Sequence, residues 1–414
     1  MMRLTCLPLL LAACSIMAAA QGLATRDATE PPAKGRLPET VEKRDVVIWS
    51  DGTRMAGDLY LPKNRKDGER LPAVIFCAGT GGTKGGTGGR LGPIFAEKGY
   101  VALAFDYRGW GDSESQLMAV GPQPKPDEKG ELTIKTRALR WQMNYTDQTE
   151  DIRAAISFLA GEPSVDPRRI GLVGSSYGGG LVTYMAGTDP RVRCVAAQVP
   201  GLGGANRGRA TEAAYKLHSQ QARGEVEPVP LETGKMTGKM EKYTNMRTNA
   251  AKSIGFSALE ASAKINIPII FLVAENEELS NNEVVAEAQR QIAARGVPSK
   301  YHVIKGITHY GIYREGFQEA TTLELAWFDE HLKSSATKST APNTETKPTP
   351  KSPTKAAPSG KPTKAAATRA PTSRSGGWDS TRTGSTPSVA STTEPLQATL
   401  PDAQTPKTSS ANAS

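Results

Sequence analysis

Short apolar runs bounded by Gly or Pro recur through the middle of the chain. They fall at Val46–Trp49, Met55–Tyr60, Ala73–Cys77, Val101–Phe105, Ile170–Gly174, Cys194–Val199, Ile269–Ala274 and Tyr301–Ile304. Continuous runs rich in Val, Ile and Phe suit strands buried on both faces of a mostly parallel sheet. The first two alternate more and have no helical stretch between them, which predicts an antiparallel opening pair. Helical spacing appears between later runs. Asp147-x-x-Glu150 reads as a capping box ahead of Ile152, Ala155, Ile156 and Leu159, and Gly161-Glu162-Pro163 ends that helix. Glu283–Ala294 and Ala320–Leu332 read as two more amphipathic helices. The alternation predicts an open α/β sheet with crossover helices on both faces.

The rhythm breaks in three places. Residues 201–264 form a Gly-, Lys- and Thr-rich insertion with weak helical pattern, placed between two strands where a lid over a site would lie. Residues 1–20 carry one Arg, an apolar stretch and Ala18-Ala19-Ala20, the pattern of a cleaved secretory leader with Gln21 as the new N-terminus. Leu11-Ala12-Ala13-Cys14 offers the alternative of a lipoprotein anchored through Cys14. Either way the expected location is secreted or periplasmic. Residues 21–40 read as a linker and 41–333 as the folded domain. Residues 334–414 are Pro, Ser, Thr, Ala and Lys with almost no large apolar side chains, so they are expected to be disordered.

Composition sharpens this picture. The net charge of +9 owes most to the tail, which holds ten Lys/Arg and four Asp/Glu. The tail reads as a solvated linker, with a tether to a polyanion as the functional alternative. Charge without interleaved aromatics gives no base recognition, so nucleic acid is not expected as a specific partner. Beyond the leader no apolar run approaches the roughly 18–20 residues of a transmembrane helix. Four Cys exclude a disulfide-dense scaffold. With the leader removed, Cys77 and Cys194 remain in apolar runs and read as buried thiols, a single disulfide between them being the alternative. Four His and no HExxH or CxxC pattern leave no expected metal site.

The informative chemistry is at Gly174-Ser175-Ser176-Tyr177-Gly178, where an apolar run passes directly into a helix-compatible segment. That is the context of a nucleophile elbow, with Ser176 exposed at the sheet edge and Ser175 facing elsewhere. The Tyr177 amide is one expected oxyanion donor. A second is expected near Thr80 or Gly81, in the Gly-rich turn after Cys77. A serine needs a base. Of His218, His302, His309 and His331, only His309 lies in a loop after the last strand and before the final helix, where it reaches the same sheet edge. The carboxylate that orients it is expected among Glu275, Glu277 and Glu278, after the Ile269–Ala274 run.

With these motifs in order, residues 40–333 resemble the α/β-hydrolase family. The resemblance rests on AVIFCAGTGG, GYVALAFDYRGWGDS, VDPRRIGLVGSSYGGG, AENEEL, GITHYGIY and AWFDEHLK. Dienelactone-hydrolase-like and acetyl-xylan-esterase-like proteins are the most similar, and SDGTRMAGDLYLP resembles the opening of Xaa-Pro dipeptidyl-peptidase-like hydrolases. The resemblance implies an α/β-hydrolase fold with an eight-stranded sheet and a Ser176-His309-Glu277 triad. Glu277 is the match because the family's acid lies three residues past a position held here by Ala274. It implies a secreted serine hydrolase that cleaves small-molecule or glycan-linked carboxylic esters through an acyl-enzyme, without metal or organic cofactor. An Xaa-Pro-type dipeptidyl peptidase is the alternative. A non-catalytic binding module working through its charged tail is the reading from another class.

Overall fold

The computed structural model describes residues 37–203, 207–230 and 246–333. The leader, most of the linker and the tail lie outside the described residues, as does part of the insertion.

Eight strands make one sheet: β1 (Val41–Ser50), β2 (Thr53–Pro62), β3 (Leu71–Cys77), β4 (Val101–Phe105), β5 (Val165–Ser175), β6 (Val192–Gln198), β7 (Ile269–Asn276) and β8 (Ser299–Thr308). They lie in the order β1-β2-β4-β3-β5-β6-β7-β8. β2 runs antiparallel to β1 and to β4, and all other pairings are parallel. The helices are α1 (Thr87–Glu97), α2 (Tyr145–Gly161), α3 (Tyr177–Thr188), α4 (Arg207–Ala222), α5 (Ala258–Ser262), α6 (Asn282–Ala294) and α7 (Phe317–Phe328).

The apolar runs are explained by two cores. Along β3, Ala73, Ile75 and Cys77 join one buried layer with Ile152, Leu181 and Val285, from α2, α3 and α6. Val74 and Phe76 join the other with Leu91, Phe95 and Phe328, from α1 and α7. Strands covered on both sides have no solvent face, so their sequences do not alternate. Cys77 and Cys194 are free thiols, one in each layer.

Several local readings are corrected. The cap of α2 is Asn144, whose side chain accepts the Asp147 N–H at 3.2 Å. Asp147 therefore sits inside the first turn rather than before it, and its carboxylate accepts from Asn144 Nδ2 at 2.6 Å. The last helix stops at Phe328, and Asp329–Lys333 forms a wider turn. Helix α1 was not expected, because three glycines and Pro93 mask its period. Gly92 is required there: a Cβ would come within 2.4 Å of the Tyr60 ring. The insertion contains α4, a full helix where the sequence suggested little. Two small pairings also flank the sheet. Leu117–Ala119 pairs with Thr136–Ala138, and Gln142–Met143 is joined to Arg247–Thr248 by a two-residue parallel bridge. No described helix is long and apolar enough to cross a membrane.

Candidate active site

Between the end of β5 and the start of α3 stands Ser176, with φ 56° and ψ −115°. That conformation is unfavourable for a residue with a Cβ and persists only where the surroundings enforce it. The enforcement comes from close backbone approach. A Cβ on Gly174 would meet Gly178 O at 2.3 Å, and one on Gly178 would meet Cys77 O at 2.2 Å. The Ser176 N–H donates to Gln198 O at 2.8 Å. Ser175 is buried, and its hydroxyl donates to Tyr313 Oη at 2.8 Å.

His309 follows β8 directly. Gly306, Ile307 and Thr308 belong to the strand rather than to a loop, and the chain turns at His309 itself. Its Nε2 lies 2.9 Å from Ser176 Oγ and its Nδ1 lies 2.8 Å from Glu277 Oε1. The His309 and Glu277 side chains are each only 2% exposed. Burial by itself would push the Glu277 carboxyl up. The bonds from His309 and from the Leu279 and Ser280 amides outweigh it and hold the group below the usual carboxylate range.

The other two glutamates serve the same loop at different points. Glu278 accepts the His309 backbone N–H at 2.8 Å. Glu275 accepts from Lys305 Nζ and from Gly306 N–H, each at 2.8 Å. One acidic turn thus grips the β8 end in three places, and only Glu277 touches the imidazole. The remaining histidines are elsewhere. His302 Nε2 sits 2.6 Å from Glu319, His331 packs edge-on against Trp327, and His218 is on the exposed side of α4.

The turn after β3 lies against the elbow. A Cβ on Gly79 would stand 2.9 Å from Ser175 O and 3.3 Å from Ser176 Cβ. The N–H groups of Thr80, Gly81 and Tyr177 have no backbone acceptor among the described residues. Amides of that kind beside a nucleophile can receive a developing oxyanion.

Residues that the sequence did not single out hold this turn. Asp106 accepts the Lys84 N–H at 2.5 Å and the Asp112 N–H at 2.9 Å, clamping the β3 turn to the β4 turn. Gly111 has φ 44°, and a Cβ there would come within 2.1 Å of Asp106 Oδ2. Beside it, the Arg108 guanidinium and N–H reach the fully buried Asp151 at 2.6 and 2.9 Å. This is the physical content of the DYRGWGDS segment. Its signal in the sequence was an acid at a strand end followed by Gly-x-Gly.

The profile of the X-Pro dipeptidyl-peptidase (S15) family matches residues 51–338. The chain belongs to that family of α/β-hydrolases.

Relatives of this S15-family chain include an uncharacterized protein, PA2218, of Pseudomonas aeruginosa, 34% identical over 160 residues (38% of this chain and 37% of that protein). A PA2218 crystal structure matches with a TM-score of 0.51 and 22% identity, covering 74% of this chain and 98% of that one. The quorum-quenching protein AidA of Acinetobacter baumannii is 31% identical over 156 residues, 38% of this chain and 43% of AidA. The S15-family chain therefore spans less than half the length of both sequence relatives. The α/β-hydrolase GrgF of Penicillium sp. sh18 has a TM-score of 0.53 at 18% identity, covering 70% of this chain and 99% of that one. At that identity the match speaks for the fold alone.

Proposed function

We propose that this S15-family hydrolase cleaves carboxylic esters through a Ser176-His309-Glu277 triad and an acyl-enzyme. The observation that carries the reading is the unbroken hydrogen-bonded line from Ser176 Oγ through both imidazole nitrogens to Glu277. In the proposed cycle Ser176 attacks the carbonyl carbon as its proton passes to His309 Nε2. Glu277 stabilises the imidazolium through Nδ1–H. The amides of Tyr177 and of Thr80 or Gly81 hold the oxyanion, each such donor being worth about 10²–10³ in kcat. His309 then protonates the leaving alkoxide, and water repeats the sequence on the acyl group. Residues 1–20 are proposed as a leader that takes the enzyme out of the cytoplasm.

A second reading, an X-Pro dipeptidyl peptidase, is favoured by the family match. Such an enzyme must hold a free peptide amine. The glutamates on the 275–278 turn are all engaged by the β8 end, which speaks for the ester reading.

The test is a fluorophosphonate probe with parallel assays on short acyl esters and an X-Pro naphthylamide. Labelling lost in Ser176→Ala, with turnover of esters, supports the proposal. Turnover of the naphthylamide alone moves the assignment to the peptidase. Undiminished labelling and ester turnover in Ser176→Ala refutes the triad.

A further inference from the structure

Behind the elbow, on the α7 side of the sheet, two polar side chains are sealed in the core. Gln198 ends β6 at 1% exposure, and Glu324 lies on α7 at 0%. Gln198 Nε2 donates to Glu324 Oε1 at 2.7 Å. The backbone carbonyl of the same Gln198 accepts the Ser176 N–H. The next residue, Val199, has φ 38°, an outlier for a β-branched side chain, and its N–H is tied to Leu272 O at 2.7 Å. Two strained residues, 176 and 199, therefore meet at one amino acid, and Glu324 grips that amino acid's side chain.

The remaining polar atoms fix the state of the acid. Gln198 Oε1 and Glu324 Oε2 are both buried with no hydrogen-bond partner. A bare carboxylate sealed there without a cation would be an uncompensated buried charge. A single proton on Oε2 would give both atoms a partner, the acid donating to Gln198 Oε1 while the amide donates to Glu324 Oε1.

We infer that Glu324 is a neutral carboxylic acid in a reciprocal acid–amide pair with Gln198, and that it positions Ser176 through the Gln198 carbonyl. The positioning role rests on the proposed reading of Ser176 as nucleophile.

The surroundings agree. Burial pushes the Glu324 carboxyl up to about 8, and only the Gln198 amide opposes it. The titratable groups on elements packed around α7 are paired elsewhere or, like Arg193 on β6, exposed to solvent. Tyr313 bonds Ser175, His309 bonds Glu277, Glu275 bonds Lys305, Asp329 bonds Lys333 and His331 pairs with Glu330. Cys194 on β6 is a buried thiol pushed well up by desolvation, hence neutral. On α7 itself Glu319 bonds His302.

The experiment compares the full chain with its Glu324→Gln and Glu324→Ala variants. Glu324→Gln replaces the acid proton by an amide N–H and has nothing to ionise. It is expected to keep kcat on a short ester within about twofold of wild type at neutral pH. Above about pH 8 wild-type kcat falls on the order of tenfold per pH unit with KM unchanged, and Glu324→Gln shows no such limb. Glu324→Ala loses kcat at every pH.

Thermal midpoints by near-ultraviolet circular dichroism need no activity. An unfolded Glu ionises near 4.5 while the folded one keeps its proton to about 8. The unfolded state thus sheds its proton first, and the wild-type midpoint should fall relative to Glu324→Gln between those pH values and run parallel above. A protonated-carboxyl infrared band present in wild type and absent from Glu324→Gln reports the acid directly. Parallel midpoints throughout overturn the neutral pair. Diverging midpoints with identical kcat profiles overturn the positioning role. Diverging midpoints in a protein that neither labels nor turns over ester overturn the nucleophile reading, and the positioning role with it, while the pair stands.

Discussion

Gly79→Ala is the most local perturbation of the proposed oxyanion turn. Gly79 does not use the left-handed region, so alanine meets no backbone penalty of its own. The added Cβ would stand 2.9 Å from Ser175 O, where ordinary contact begins at 3.4 Å. Ser175 O belongs to the end of β5 and cannot swing away as a flexible side chain would. The turn and the elbow must separate by about 0.5 Å to admit the methyl group. A misplacement of 1 Å in reacting geometry costs about 10² in rate, so half that distance costs about tenfold in kcat, or about 1.4 kcal/mol of transition-state stabilisation. KM should change little, because the lost contact is made to the oxyanion and not to the ground-state ester. Overpacking of this kind costs roughly 1–3 kcal/mol of stability, a drop in Tm of several degrees that leaves the protein folded at assay temperature. Gly85→Ala, in the same turn but with nothing within 4 Å of its Cβ, serves as the control and should match wild type. Steady-state kinetics on a short p-nitrophenyl ester and fluorophosphonate labelling rates give the readout. Wild-type kcat in a folded Gly79→Ala protein, or an equal loss in Gly85→Ala, would refute the reasoning.

Other outcomes follow from the same contacts. Glu277→Gln should lower kcat by about 10³–10⁴-fold, because the imidazolium loses its counter-charge, whereas Glu275→Gln should stay within about threefold; ester kinetics on the two variants decide it. Glu277 keeps its charge as pH falls toward the usual carboxylate range, since its carboxyl is held low, so it should add no proton to the acid limb of kcat/KM; an acid limb steeper than one proton contradicts that assignment. Arg108→Met leaves Asp151 buried without its cation and should cost about 3–5 kcal/mol at neutral pH. Burial already pushes Asp151 to about 6, so the deficit should shrink at lower pH where the acid is protonated, as Tm measured across that range will report. Removing residues 339–414, beyond the family match, should leave small-ester turnover within about twofold; a large loss would mean that the tail supports the fold.

What could be read from the chain follows from where the information sits. The inner strands, covered on both faces, announce themselves as uniform apolar runs, and β1 and β8, partly exposed, as shorter ones, so all eight were visible. Ser176 was visible because strand, Gly-x-Ser-x-Gly and helix are contiguous, and His309 because its position after the last run is a matter of chain order. Glu277 could be separated from Glu275 and Glu278 only by the family's spacing, since all three share one turn and differ in which atom of the β8 end each reaches. The supporting pairs were out of reach for a different reason. Arg108 with Asp151, and Gln198 with Glu324, are brought together by sheet order and helix packing, not by sequence distance. Each nonetheless left a trace: Gln198 is a polar residue closing an apolar run, and Glu324 falls on the buried stripe of α7 with Thr321 and Phe328. Helix α1 hid behind the glycines that its close packing on Tyr60 demands.

The two-residue bridge between Gln142–Met143 and Arg247–Thr248 is slight beside the ladders that join β5 through β8. Side chains nonetheless wire that small pairing to the site: Trp110 Nε1 donates to Gln142 O, Arg140 donates to the Gly111 and Ser113 carbonyls, and Gln148 links Gln142 O to the Tyr177 hydroxyl. The exposed hairpin of Leu117–Ala119 and Thr136–Ala138 carries no such wiring to Ser176, His309 or Glu277 among the described residues. Recoding that hairpin is accordingly expected to leave ester turnover intact, whereas changes at Arg140 or Gln148 should be felt at the elbow.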